Sequence, residues 1–266
     1  MIYEHEALAY HPQIDFVGFN IQAGEIVSEK IYYKKNNSQA SEYGRCPILK
    51  RLTEAVPDLR FFSAESYHAQ RGVIKYDFQV ESPAAWAAAK DFLGKNIESY
   101  DPQIVRAAEE IPWLRTQFST LSFRIYKNER ILNTVLYYRR PPEGMARVDC
   151  SVSRLVPPMA AAACQTLANY MFGLNAWVRL AAIDFMAPDS YALKVYFETD
   201  RPALGASIRS FFSNTENEIA CNRVLDYAGQ THLLFRGLAI VMPSDRNDLR
   251  FNFYFNQQRP PKPALP

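Results

Sequence analysis

Glycine is scarce in this chain, 10 of 266 residues, against 16 Tyr and 17 Phe. No GxGxxG, Walker A or nucleophile-elbow sequence occurs, which excludes the glycine-cradled nucleotide sites and the strand–Ser–helix hydrolase turn. Histidine and cysteine are equally thin, four of each. Cys46, Cys150, Cys164 and Cys221 lack CxxC spacing and no histidines pair at i, i+4, so a zinc site is disfavoured and reduced thiols in a cytoplasmic protein are expected. No apolar run approaches the ~18 residues of a membrane span, and the opening "MIYEHEALAY" does not read as a signal peptide. Nor does one sign of charge dominate. The net charge of +2 supplies no field that would draw nucleic acid or an anionic membrane.

What is present is a soluble, ring-rich composition: 48% hydrophobic, 22% charged and 14% aromatic, enough for one sizeable core. Alternating apolar and polar residues mark five hairpins. They are "DFVGFNIQAGEIVSEKIYYK" turning at Ala23-Gly24; "LRFF" and "GVIKYDFQVE" around a longer loop; "LSFRIYKNERILNTVLYYRR" turning at Lys127-Asn128; "RLAAIDFMAPDSYALKVYFETD" turning near Pro188-Asp189; and "LLFRGLAIVMPSDRNDLRFNFYF" turning near Ser244-Asp245. Helical segments separate them. Ser82-Pro83 and Asp101-Pro102 are cap-then-proline starts, "VPPMAAAACQTLANYMFG" ends on Gly173 as a C′ residue, "DRPALGASIRSFFSN" opens Asp-x-Pro, and "CPILKRLTEAV" is a weaker helix.

Tyr32, Tyr76, Tyr137, Tyr196 and Tyr254 recur in the second strands at 44, 61, 59 and 58 residues, so one hairpin-plus-helix unit repeats about five times. The expected fold class is α+β: a closed antiparallel ten-stranded barrel from five hairpins, coated by helices, because closure removes the edges that two sandwiches would leave. No Gly/Ser-rich linker divides it. One domain over residues 1–256 is expected, with 257–266 a disordered proline-rich tail.

In such a barrel the apolar set of each strand faces the helices and the polar-aromatic set lines the interior. That rule groups Ser28, Lys30 and Tyr32; Ser122, Arg124 and Tyr126; Lys194 and Tyr196; and Arg250, Asn252 and Tyr254. The second hairpin is untidy, because Lys75 and Tyr76 are adjacent and Lys75 would instead share a face with Asp77. A single Lys-x-Tyr is most often a solvated face with a snorkelling lysine. A basic residue two positions before a tyrosine in four of five hairpins points instead to a lumen of buried cations, which needs an anion to neutralise it. A diphosphate fits: charge-assisted hydrogen bonds hold the leaving group, and ring faces stabilise the cation left when it departs.

The segments "ALKVYFE", "SEKIYY" and "DLRFNFYF" on ten hairpin strands resemble the ABBA-type prenyltransferases, whose barrel encloses a prenyl diphosphate. That family includes bacterial aromatic enzymes, fungal indole enzymes and the cyanobactin enzymes that modify ribosomal peptides, and the last group is nearest in size. The resemblance implies diphosphate ligands at Lys30, Lys194 and Arg250, followed by Arg124 and Lys75. It implies a tyrosine shield of Tyr32, Tyr196 and Tyr254, followed by Tyr126 and Tyr76. It also implies a carboxylate near the first strand as catalytic base, Asp15 or Glu25, with Asp77 an alternative. Expected partners are a prenyl diphosphate, with Mg²⁺ bound alongside it in some members, and a peptide or small aromatic acceptor, on a monomer. Only about 14 residues precede the first hairpin, and a wide barrel mouth would suit a peptide.

No DDxxD sequence occurs, so the Mg²⁺-clamped helical isoprenoid synthases are disfavoured; "DRND" at 245–248 is a hairpin turn, His68 a surface residue, and Trp86, Trp113 and Trp177 packing residues. The competing expectation is a non-catalytic barrel that binds an anionic amphiphile or peptide with the same residues.

Overall fold

The computed structural model describes residues 14–33, 46–66, 73–114, 118–126, 131–139, 150–201 and 204–257. Five antiparallel hairpins are present: β1 (Ile14–Gln22) with β2 (Glu25–Tyr33), β3 (Leu59–Ser66) with β4 (Val73–Val80), β5 (Phe118–Tyr126) with β6 (Ile131–Arg139), β7 (Trp177–Ala187) with β8 (Ser190–Glu198), and β9 (Leu233–Pro243) with β10 (Arg250–Gln257). Gly24 takes a left-handed φ of +77° at the first turn, and Asp189 one of 59° at the fourth. Gln257, placed with the tail on sequence, is the last residue of β10.

All ten strands form one sheet in the order β2-β1-β10-β9-β8-β7-β6-β5-β4-β3. Laid flat, β2 and β4 would lie roughly 40 Å apart at about 4.8 Å per strand. Yet Lys30 of β2 and Lys75 of β4 line one cavity together with Lys194 of β8. The sheet is therefore curled around that cavity. Closure by hydrogen bonds, expected from the sequence, is absent among the described residues: no ladder joins β2 to β3.

The apolar side of each strand faces out, under the helices. These are α1 (Pro47–Ala55), α2 (Pro83–Asn96), α3 (Pro102–Glu109), α4 (Pro158–Gly173), α5 (Gly205–Phe212) and α6 (Glu218–Gln230). Phe212 of α5 packs edge-on against Phe251 at 4.9 Å, Tyr227 of α6 against Phe19 at 5.6 Å, and Phe172 of α4 against Phe197 at 6.4 Å. Burying such rings supplies ~1.5–3 kcal/mol each, which fixes which face of each strand turns outward. Ser82 accepts from the Ala85 amide at 3.1 Å and Asp101 from Gln103 at 2.7 Å, the two caps read from sequence.

Two helix expectations are corrected. Gly173 lies inside α4, and the left-handed residue beyond it is Asn175, with φ 58°. The helix α6 went unread because Asn217 makes no side-chain cap and no proline opens it, although Ala220, Cys221, Val224, Leu225 and Ala228 keep helical spacing. Cys46, Cys164 and Cys221 are buried free thiols. Among the described residues no helix is long and apolar enough to cross a membrane.

Candidate active site

On β8, Val195 and Phe197 point into the helix-facing core while Lys194, Tyr196 and Glu198 take the other face and line a central cavity of about 240 Å³. A second cavity, of about 220 Å³, adjoins it. Lys30, Arg124, Lys194 and Asn252 belong to both linings and form the boundary between them. The smaller compartment adds Arg250, Arg246, Asn20, Asn133 and Asp184, and the larger adds Tyr32, Tyr137, Tyr196 and Tyr254. Both compartments carry basic residues, but the tyrosines line only the larger, which also holds Lys75, Arg179 and Arg236.

The tyrosines form a continuous chain. Ring centroids are 6.3 Å apart for Tyr32 and Tyr254, 5.9 Å for Tyr254 and Tyr196, and 6.3 Å for Tyr196 and Tyr137, all tilted. Lys75 Nζ sits over the Tyr137 ring, 5.1 Å from its centre, which is the geometry of a cation–π contact. Burial holds the Tyr196 hydroxyl well above its ordinary pKa and raises that of Tyr254. Both rings stay neutral and present an electron-rich face at any working pH.

The cations converge on one carboxylate. Lys194 Nζ donates to Asp184 Oδ2, Asn133 Nδ2 donates to Oδ1, and Arg124 Nη1 lies 3.6 Å from Oδ2. Burial alone would push Asp184 up, but the charges on Lys194 and Arg124 reverse that and bring it to about 2. Burial, together with Arg124 and Lys194, pushes Lys30 down to about 7. Lys194 falls to about 8, burial outweighing the attraction of Asp184. At the rim, Arg250 Nε donates to Gln22 Oε1 at 3.2 Å, and Gln22 Nε2 donates to Asp248 at 2.5 Å.

Of the residues read from sequence, the fold brings Lys30, Lys75, Arg124, Lys194, Arg250, Tyr32, Tyr196 and Tyr254 to the two cavities. Tyr76 is a correction: Lys75 takes the lumen face, so its neighbour turns outward and is buried in the core between sheet and helices. Lys75 lines only the tyrosine compartment and pairs with Asp77 at 3.0 Å. Asp77, held also by Ser122, is fully engaged. Glu25 is exposed at the first turn. Asp15 sits at a β-bulge between Ile14 and Phe16, where alternation does not fix its face; its side chain, that of Tyr126 and the whole of His68 lie outside the described residues.

Sequence reasoning missed Tyr137, Asp184, Asn133 and an ion cluster at the far end of the larger cavity. There Glu198 accepts from Arg179 Nη1 at 2.5 and 2.6 Å and pairs with Arg236. Beside them Gly237 lines the cavity, and a Cβ built on it would overlap the Phe197 carbonyl oxygen. Gly237→Ala is expected to push β9 off β8 and cost about 1–3 kcal/mol, read as a lower urea midpoint with an unchanged slope.

The described residues thus form a curled antiparallel sheet of five hairpins, with helices outside and a lumen of basic residues and tyrosines within. No protein-family model and no curated protein matches the chain. Solved structures do. The apo form of the prenyltransferase PriB superposes with TM-score 0.61 at 14% identity, covering 95% of this chain and 83% of that one. The 5-dimethylallyl tryptophan synthase of Streptomyces coelicolor, solved with DMASPP and Trp, gives 0.61 at 12%, covering 96% and 83%. PriB in a ternary complex with L-tryptophan and dimethylallyl thiolodiphosphate gives 0.58 at 16%, covering 96% and 84%. At these identities the likeness establishes the fold, and it is the ABBA prenyltransferase fold.

Proposed function

We propose that the protein transfers an allylic isoprenoid, of dimethylallyl or geranyl size, from its diphosphate to an electron-rich acceptor. The observation that carries the reading is the abutment of five cations with an unbroken chain of four tyrosine rings, Lys30, Arg124 and Lys194 standing at the boundary. Lys30, Arg124, Lys194 and Arg250 would take the diphosphate, each charge-assisted bond contributing ~1.5–3 kcal/mol. The prenyl chain then crosses into the tyrosine compartment. As the C–O bond breaks, negative charge grows on the diphosphate against fixed cations, and positive charge grows on the chain against the ring faces. The same walls keep out the water that would capture the cation.

The acceptor, a peptide or a small aromatic, enters the larger cavity from the Arg179–Glu198–Arg236 end. The acceptor's nucleophilic atom forms the new bond and the acceptor gives up a proton, for which Asp15 is the proposed base. Mg²⁺ is proposed as a companion of the diphosphate, the sequence having no DDxxD motif. PriB, which shares the fold, has been solved with product diphosphate, which supports a diphosphate as the class of ligand.

Incubation with dimethylallyl or geranyl diphosphate and a panel of indoles, phenols and aromatic peptides should release diphosphate and add a multiple of one isoprene mass to an acceptor. Binding of the donor without turnover across the panel would favour the non-catalytic barrel. Absence of donor binding would defeat the prenyl-transfer reading.

A further inference from the structure

Asp184 is the one carboxylate among the described residues lining the smaller compartment. A diphosphate is repelled by it, so its presence there needs an explanation beyond donor binding. It sits diagonally across from Lys194 on the adjoining strand, in the registers Asp184↔Ala192 and Ala182↔Lys194. Both of its oxygens are engaged, Oδ2 by Lys194 and Arg124 and Oδ1 by Asn133. Asn133 is itself buried, and nothing in the chemistry above uses it except as a clamp on this carboxylate.

We propose that Asp184 is a positioning residue: a resident counter-ion that holds Lys194 and Arg124 in place and charged while the donor site is empty. This rests on reading the compartment as the donor site. A lysine is a point charge on a flexible four-carbon stem, and only a fixed partner gives it one position. The other charged groups facing Asp184 are all cationic: Lys30 from β2, Arg250 from β10 and Arg246 from the β9–β10 loop. Lys75, on β4, is taken up by Asp77. Without Asp184, burial, reinforced by those like charges, would drive the lysines neutral before the donor arrived. The downward pull already visible on Lys30 and Lys194 supports this, because in both Asp184 is the charge that opposes it. Preorganisation of this kind means the donor meets cations already aimed, and Asp184 gives way in charge balance as the diphosphate replaces it.

A purely structural ion pair makes a different prediction. Dimethylallyl thiolodiphosphate, which cannot turn over readily, is titrated calorimetrically into the wild type and into Asp184→Asn from pH 5 to 9, with thermal melts confirming the fold. In the wild type, affinity falls as pH rises through the lysine range. In Asp184→Asn the fall should begin lower by about one pH unit, the size of an ion-pair shift. At pH 5, below the lysine range of either protein, the variant should bind at least as tightly. Equal weakening at every pH, or an unmoved midpoint, would overturn the proposal and leave Asp184 a scaffold residue. Asp184→Ser, which removes the same charge, repeats the reading if the asparagine variant does not fold. A wild type that binds no thiolodiphosphate at any pH defeats the donor-site reading itself; binding with an unmoved midpoint defeats only this inference.

Discussion

Lys194→Met is expected to lower the rate of diphosphate release by about 10- to 150-fold, the worth of one charge-assisted hydrogen bond of ~1.5–3 kcal/mol to the departing group. It should also destabilise the empty protein. The substitution leaves Asp184 buried with Arg124, at 3.6 Å, as its one remaining ion pair among the described residues. Breaking a buried pair from one side costs about 3–5 kcal/mol; because Arg124 and Asn133 stay, the lower end, about 3 kcal/mol, is the expectation. For a chain of this size that is a fall of roughly 6–12 °C in Tm. The double variant Lys194→Met/Asp184→Asn separates the two effects. It should recover most of the Tm, since the orphaned charge is gone, and recover none of the rate, since the donor still lacks its cation. Turnover near the wild-type rate in the single variant would place the diphosphate elsewhere.

Much of this arrangement was legible in the sequence, and the limits were physical. Alternation plus turn chemistry located the five hairpins, because a half-buried strand must alternate and a two-residue turn demands residues such as Ala23-Gly24. Inward faces followed wherever a strand ran without interruption, as in "ALKVYFE". They were incomplete where pairing is irregular. The β5–β6 ladder shifts register between Phe118 and Thr120 and again between Arg124 and Ile125. The repeat spacing had picked out Tyr137, yet the face rule was applied to the incoming strand of that hairpin, which gave Arg124 and passed Tyr137 over. At Lys75-Tyr76 the rule could admit only one of two neighbours. Asp184 left a trace, the single charge in "AAIDFMA", but its meaning depends on Lys194 arriving from the next strand. The convergence of Arg179, Glu198 and Arg236 from β7, β8 and β9 left none, because it is set by strand order alone.

Donor affinity is expected to fall by about tenfold per pH unit between pH 7 and 8 and more steeply above. The empty site carries Lys30 at about 7 and Lys194 at about 8. A bound diphosphate favours the charged form of both, so binding takes up the protons that the free lysines have shed, about one in total near pH 7.5. Calorimetry in two buffers of different ionisation enthalpy counts that proton directly, and Lys30→Met should remove the part that titrates lower. The empty protein must slope the other way. Both folded-state lysine pKa values lie below 10.5, the ordinary value of a lysine in water. From pH 7 upward the unfolded chain therefore holds protons that the folded chain has lost, and the penalty for burying charge is progressively relieved. Cys164 and Cys221, pushed by burial from 9.0 to about 12, oppose this only above about pH 9, where the unfolded thiols ionise. Between pH 7 and 9 the Tm of the empty protein should thus rise while the Tm gain from dimethylallyl thiolodiphosphate shrinks. Zero proton uptake, or two parallel lines, would mean that both lysines stay charged up to pH 9 without an added anion and that the cations at the tyrosine boundary are not waiting for one.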